Sequence, residues 1–156
     1  MVFIHKNTFD VIRTDLSRIM QSNDYFAVDE LIAPTIQILN RKGYITEFSC
    51  SGHPFPYITE GYMNHDPERK IFETRDEYSA ATYISFKEGI FLPHLPPGFV
   101  VDDGDDSQAK LVITKKYRNF NKDFFEKARN ILESMEELYK WALDLPEFQS
   151  LNLNFL

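Results

Sequence analysis

Residues 124–142 constrain the fold more than any other stretch of this chain. Phe124, Phe125, Ala128, Ile131, Leu132, Met135, Leu138, Tyr139 and Ala142 recur at spacings of three and four, which lines them along one face of a helix of about five turns. Asn121 stands where an N-cap belongs, and Pro146 ends the run. An apolar stripe this wide must be covered, so the rest of the chain has to supply a partner layer.

The remaining segments predict what that layer is. Residues 8–20 carry Phe9, Ile12, Leu16, Ile19 and Met20 at helical spacing behind Thr8, a suitable N-cap. A second helix is predicted over 28–41, with Val28, Leu31, Ile32, Ile36 and Leu39 inward and Gly43 just past its end. Pro34 requires that helix to start late or to kink. Strands are predicted at 44–49, 81–86, 99–102 and 110–114, the last two joined through an acidic turn, Asp103-Gly104-Asp105-Asp106-Ser107. That turn lacks the spacing and terminal Glu of an EF-hand loop. The alternating tail Leu151-Asn152-Leu153-Asn154-Phe155-Leu156 reads as an edge strand that closes the sheet or forms a homodimer. Residues 54–77 are an excursion broken by Pro54, Pro56, Gly61 and Asn64, with a short helix expected after Asp66-Pro67 to carry Arg69, Lys70 and Arg75, and they form a lid candidate. The expected fold is α+β: a single domain over residues 1–156 with a mostly antiparallel sheet of four to five strands. Two or three helices pack it, including the long C-terminal one.

Composition narrows the function classes. The chain has 156 residues, 43% of them hydrophobic and 15% aromatic, which suffices for a core without disulfide or metal staples. Its single cysteine suits a reducing compartment. Residues 1–7 lack a signal-peptide pattern, and no window is apolar enough to span a bilayer, so no membrane role and a cytoplasmic location are expected. A net charge of −7 weighs against nucleic acid held through phosphate contacts.

One stretch gathers chemistry. The strand from Gly43 and Tyr44 runs into Ser49, Cys50, Ser51, Gly52 and His53, bringing a thiol, two hydroxyls, an imidazole and exposed backbone amides within a few residues. Successive amides around a glycine cradle an anion. An imidazole beside a thiol favours a thiolate nucleophile, which makes Cys50 and His53 the catalytic candidates, although no third triad member is identifiable. Against these stand the ordinary roles of such residues, a buried thiol and a structural turn. Cys50 and His53 have the spacing of half a zinc site, with His5, His65, His94 or carboxylates needed to complete it, and no metal is assigned on that basis. The aromatic residues Phe55, Tyr57, Tyr62, Phe72 and Tyr78 are candidates to line a pocket nearby, and core packing is their default role.

The stretch resembles two groups of proteins. Gly43-Tyr44, the Cys50-Ser51-Gly52-His53 turn and the later Tyr83-Ile84-Ser85-Phe86 strand resemble uncharacterised bacterial and phage proteins, a resemblance that implies no activity. Thr46, Ser49, Cys50, Ser51 and Gly52 are also similar to the Thr-Ser-Ser-Cys-Ser-Gly-Arg segment of the wybutosine-synthesising tRNA methyltransferases, which implies S-adenosylmethionine as cosubstrate. His53 stands where that family has arginine, and Glu47-Phe48 replace its small hydroxyl residues. The first expectation is therefore a small anionic ligand at Ser49, Cys50, Ser51, Gly52 and His53, with no cofactor identified. The second is a methyltransferase-like RNA-modifying enzyme, and the third a non-catalytic interaction module, phage-encoded and docking through the C-terminal strand.

Overall fold

The computed structural model describes residues 1–13, 24–52, 58–62, 70–74, 78–102, 110–118 and 124–149. In chain order its elements are β1 (Val2–His5), β2 (Val11–Ile12), β3 (Tyr25–Val28), α1 (Ala33–Arg41), β4 (Thr46–Cys50), β5 (Ile58–Tyr62), β6 (Lys70–Thr74), β7 (Tyr78–Phe86), β8 (Val100–Val101), β9 (Val112–Arg118) and α2 (Phe124–Asp144). The strands form a three-stranded sheet in the order β2-β1-β3, a four-stranded sheet in the order β4-β7-β9-β8, and a β5-β6 ribbon. Every pairing is antiparallel. The architecture is α+β, as the pattern of elements predicts.

The N-terminal segment departs from expectation. Where a helix over 8–20 is predicted, Val11 and Ile12 instead pair with Ile4 and Phe3, while 14–23 lie outside the described residues. The cause is local. His5 Nδ1 accepts the amides of Asn7 and Thr8 at 3.0 and 3.1 Å, Thr8 Oγ1 accepts that of Asp10 at 3.2 Å, and the His5 amide donates to Asp10 O at 3.1 Å. Side chains that bond nearby amides in this way compete with the helical ladder, and here they turn the chain back along β1. Phe9, expected in a buried stripe, is 59% exposed beneath the Arg41 guanidinium.

The second helix starts late. Val28 ends β3, Ala33 opens α1, and Pro34 sits in the first turn, where its missing N–H goes unnoticed. Leu31 is consequently half exposed, whereas Ile32, Ile36 and Leu39 are buried as expected. At the far end the Lys42 and Gly43 amides reach Ile38 O and Asn40 O, and Gly43 adopts φ 96°. That left-handed turn is open to glycine at little cost.

Helix α2 buries Ile131, Met135, Leu138, Trp141 and Ala142, and the Trp141 indole N–H donates to His94 O at 3.1 Å. Leu132 and Tyr139 belong to the same apolar pattern but face solvent, Leu132 at 53%. Lys42 fastens the end of this helix, its ammonium donating to the carbonyls of Ala142, Leu143 and Leu145 at 2.9, 2.6 and 2.5 Å. Those are the acceptors a helix C-terminus leaves orphaned, and the cation also suits the negative end of the dipole. The Phe148 amide returns to Lys42 O at 2.7 Å, and the Tyr44 hydroxyl donates to Pro146 O at 2.9 Å. One hydrophobic core joins Val2 and Ile4 of β1, both helices, Ile84 and Phe86 of β7, and Ile113 of β9.

Within the 54–77 excursion, Ile58–Tyr62 and Lys70–Thr74 pair as β5 and β6, so Lys70 lies in a strand and not in the short helix expected there. Arg69, Arg75, the Asp103–Ser107 turn, the Asn121 cap and the 151–156 strand fall outside the described residues.

Candidate functional site

Strand β4 is an edge of the four-stranded sheet, and its two ends carry two different environments. Cys50 pairs with Tyr83 across the β4-β7 ladder, and Phe48 pairs with Ser85. Alternation along β4 then places Cys50, Tyr83 and Phe48 on one face and turns Ser51 towards the other, the face carrying Thr82 and Ile84. Thr82 and Ile84 are fully buried, and Ile131 of α2 lies within contact distance of Gly52 on that side.

At the C-terminal end of β4 the turn is held by an acid. Asp29, just after β3, accepts both the Ser51 amide and the Ser51 hydroxyl, at 3.0 and 3.2 Å. The Gly52 amide donates to the Cys50 sulfur. Two of the amides in the expected anion cradle, those of Ser51 and Gly52, are therefore already engaged, the first of them by a carboxylate. Burial pushes the Cys50 thiol above its ordinary range; the Gly52 bond opposes this, and the nearby Asp29 charge adds to it. A thiol in this setting is held protonated, the reverse of what nucleophilic activation requires. Gly52 has φ 93°, and a Cβ there would meet Thr82 Oγ1 at 3.2 Å and Ile131 at 3.5 Å.

A buried polar chain runs inward from the turn. Lys115 Nζ donates to Ser134 Oγ at 2.8 Å, Ser134 bonds the Tyr117 hydroxyl, Tyr117 and Thr82 are 2.9 Å apart, and Thr82 Oγ1 donates to Ser51 O at 2.8 Å. Thr82 has one hydroxyl proton and spends it on Ser51 O, so Tyr117 must be the donor to Thr82, and Ser134 the donor to Tyr117. Every proton thus points the same way, from α2 to the Ser51 carbonyl. Ser134, Tyr117, Thr82 and Ser51 are all buried. Burial pushes the Tyr117 phenol upward, partly offset by its bonds from Ser134 and with Thr82. Asp29, Thr82 and Ser134 do not stand out in the sequence as part of a site, and Lys115 and Tyr117 are visible there only as members of the short basic cluster Lys115-Lys116-Tyr117-Arg118.

At the N-terminal end of β4 the electrostatics invert. A cavity of about 600 Å³ opens between the three-stranded sheet, α1 and β4, and its lining includes Lys6, Lys87, Lys110, Glu47, Phe26 and Phe48. Glu47 pairs with Lys110 at 2.9 Å. Among the described residues Lys6 and Lys87 have no acidic partner. The floor is rigid: Asn40 donates both Nδ2 protons, to Ile36 O at 2.8 Å and Thr46 Oγ1 at 3.0 Å, and its Oδ1 accepts the Thr46 amide at 3.2 Å. A β-bulge between Thr46 and Phe48 leaves Phe48 68% exposed at the rim. Bulges commonly re-aim a side chain beside a site. The three lysines come from segments far apart in the chain, so no local motif announces them.

Of the residues expected at the turn, Ser49, Cys50, Ser51 and Gly52 are brought together as described, while His53 lies outside the described residues, as do His65 and the side chains of Phe55, Tyr57, Tyr62, Phe72 and Tyr78. His5 Nδ1 is committed to backbone amides. Among the described residues no three of His, Cys, Asp and Glu converge, and no helix is long and apolar enough to cross a membrane. No protein-family model matches the chain, nor does any curated protein or solved structure.

Proposed function

We propose that this protein binds a small anionic ligand, and that the cavity at the N-terminal end of β4 holds it in place of the Ser49–His53 turn. The observation that carries the proposal is the convergence of Lys6, Lys87 and Lys110 on one cavity in a chain of net charge −7, against a single lining carboxylate. Cations focused in a concave, partly apolar site raise the local concentration of an anion and hold it with charge-assisted hydrogen bonds. The size suits a small ligand, since pockets of about 300–1,000 Å³ enclose molecules of drug-like dimensions. The turn is less suited to an anion, because Asp29 fills it with negative charge.

Thermal unfolding in the presence of inorganic pyrophosphate tests this. An anion at about a hundred times its dissociation constant adds roughly 2.7 kcal/mol, a rise in Tm of about 5–10 °C for a chain of this size. The rise should vanish in the Lys6→Ala, Lys87→Ala double variant and shrink as ionic strength increases. No rise in the unaltered protein, or one that survives the double substitution, would sink the proposal.

A further inference from the structure

Resting on the anion-site reading, we infer that the ligand carries a flat ring beside its negative charge, and that its class is the nucleoside phosphates. The cavity presents two kinds of surface. Lys6, Lys87 and Lys110 supply charge, while Phe26 and Phe48 supply aromatic area. Phe48 is the side chain that an inorganic anion leaves unexplained. It sits on an edge strand, two-thirds exposed, at a bulge that breaks the regular β4-β7 register. A large aromatic held in water at the rim of a cationic cavity is a stacking platform, and aromatic side chains receive nucleobases in this manner.

The polar groups bear on selectivity. Both Nδ2 protons of Asn40 are consumed within the fold, so this amide has no donor left to read a base edge. Asn7 also lines the cavity, next to Lys6 in the chain, so stacking and charge lead recognition and the site should tolerate any base. Glu47 pairs with Lys110, so a phosphate meets Lys6 and Lys87 first and competes with Glu47 for the third cation.

Calorimetric titration of the full chain with AMP, UMP, adenosine and inorganic phosphate tests the inference. The expected result is that AMP and UMP bind within about threefold of each other and at least about fivefold tighter than phosphate, because a stacked base is worth roughly 1–3 kcal/mol. Phe48→Ala and Phe48→Leu should remove that advantage and leave phosphate binding unchanged. Phe48 is exposed, so neither variant threatens the fold. Glu47→Gln should tighten all three anions. If AMP binds no better than phosphate, or the Phe48 variants keep the advantage, the ring is not recognised and the inference falls while the anion site stands. Should neither AMP nor phosphate bind, the anion site itself falls and takes the inference with it. A free nucleotide and the phosphorylated end of a strand share this chemistry, so a 5′-phosphorylated dinucleotide run beside AMP separates them: tighter binding of the dinucleotide assigns the strand end, and equal or weaker binding assigns the mononucleotide.

Discussion

Gly52 is a position where the backbone resists change. Its φ of 93° strains any L side chain, and a Cβ 3.2 Å from Thr82 Oγ1 would require the buried threonine to give way. Gly52→Ala should cost about 1–3 kcal/mol, read as a lower urea midpoint with an unchanged slope. Beside it, the Cys50 thiol is held protonated by burial first and by Asp29 second. Alkylation of Cys50 near neutral pH should accordingly be slower than that of a thiol in a short peptide, and Asp29→Asn should speed it. Equal rates in both proteins would show that Asp29 does not govern the thiol. The sequence makes this turn visible as a concentration of reactive residue types, but it does not reveal that Asp29, some twenty residues upstream, takes the Ser51 amide. Asp29 reads as part of the first turn of the helix predicted over 28–41; only the late start of α1 at Ala33 frees it for that role.

Among the elements, the long helix and the strands of the main sheet are legible because their periodicity is sustained and bounded. Pro146 and Gly43 mark ends that the structure keeps. The N-terminal segment is illegible for the opposite reason: Phe9 and Ile12 have helical spacing, but His5 and Thr8 bond the amides that a helix would need. Lys42 is equally invisible as a residue type, although it joins α1 to the end of α2 through three carbonyls. Lys42→Met keeps most of the stem and removes those bonds, so it should lower stability by about 1–3 kcal/mol in urea denaturation. The buried chain from Ser134 to Thr82 makes a parallel prediction. Tyr117→Phe leaves Thr82 without its donor and Ser134 without its acceptor, and should cost about 1–3 kcal/mol with the fold retained by circular dichroism.

For the whole molecule, the raised Cys50 and Tyr117 ionisations set a direction for stability against pH. Both groups hold their protons more tightly when folded, so their contribution is complete below the ordinary values of 9.0 and 10.0 and is lost as pH climbs through the raised ones. Urea midpoints should fall on the alkaline side of about pH 9, and the fall should be shallower in Cys50→Ala. The cavity also belongs to this scale. Lys6, Lys87 and Lys110 meet only because the three-stranded sheet, the β7 end and the start of β9 are brought around β4, and no pattern along the chain encodes that meeting. Its charge decides between the two ends of β4, and an amide-resolved NMR titration with inorganic pyrophosphate decides it most directly. Shifts centred on Lys6, Asn7, Glu47 and Lys87 are the predicted result; shifts centred on Ser51 and Gly52, with those lysine amides unmoved, would contradict it.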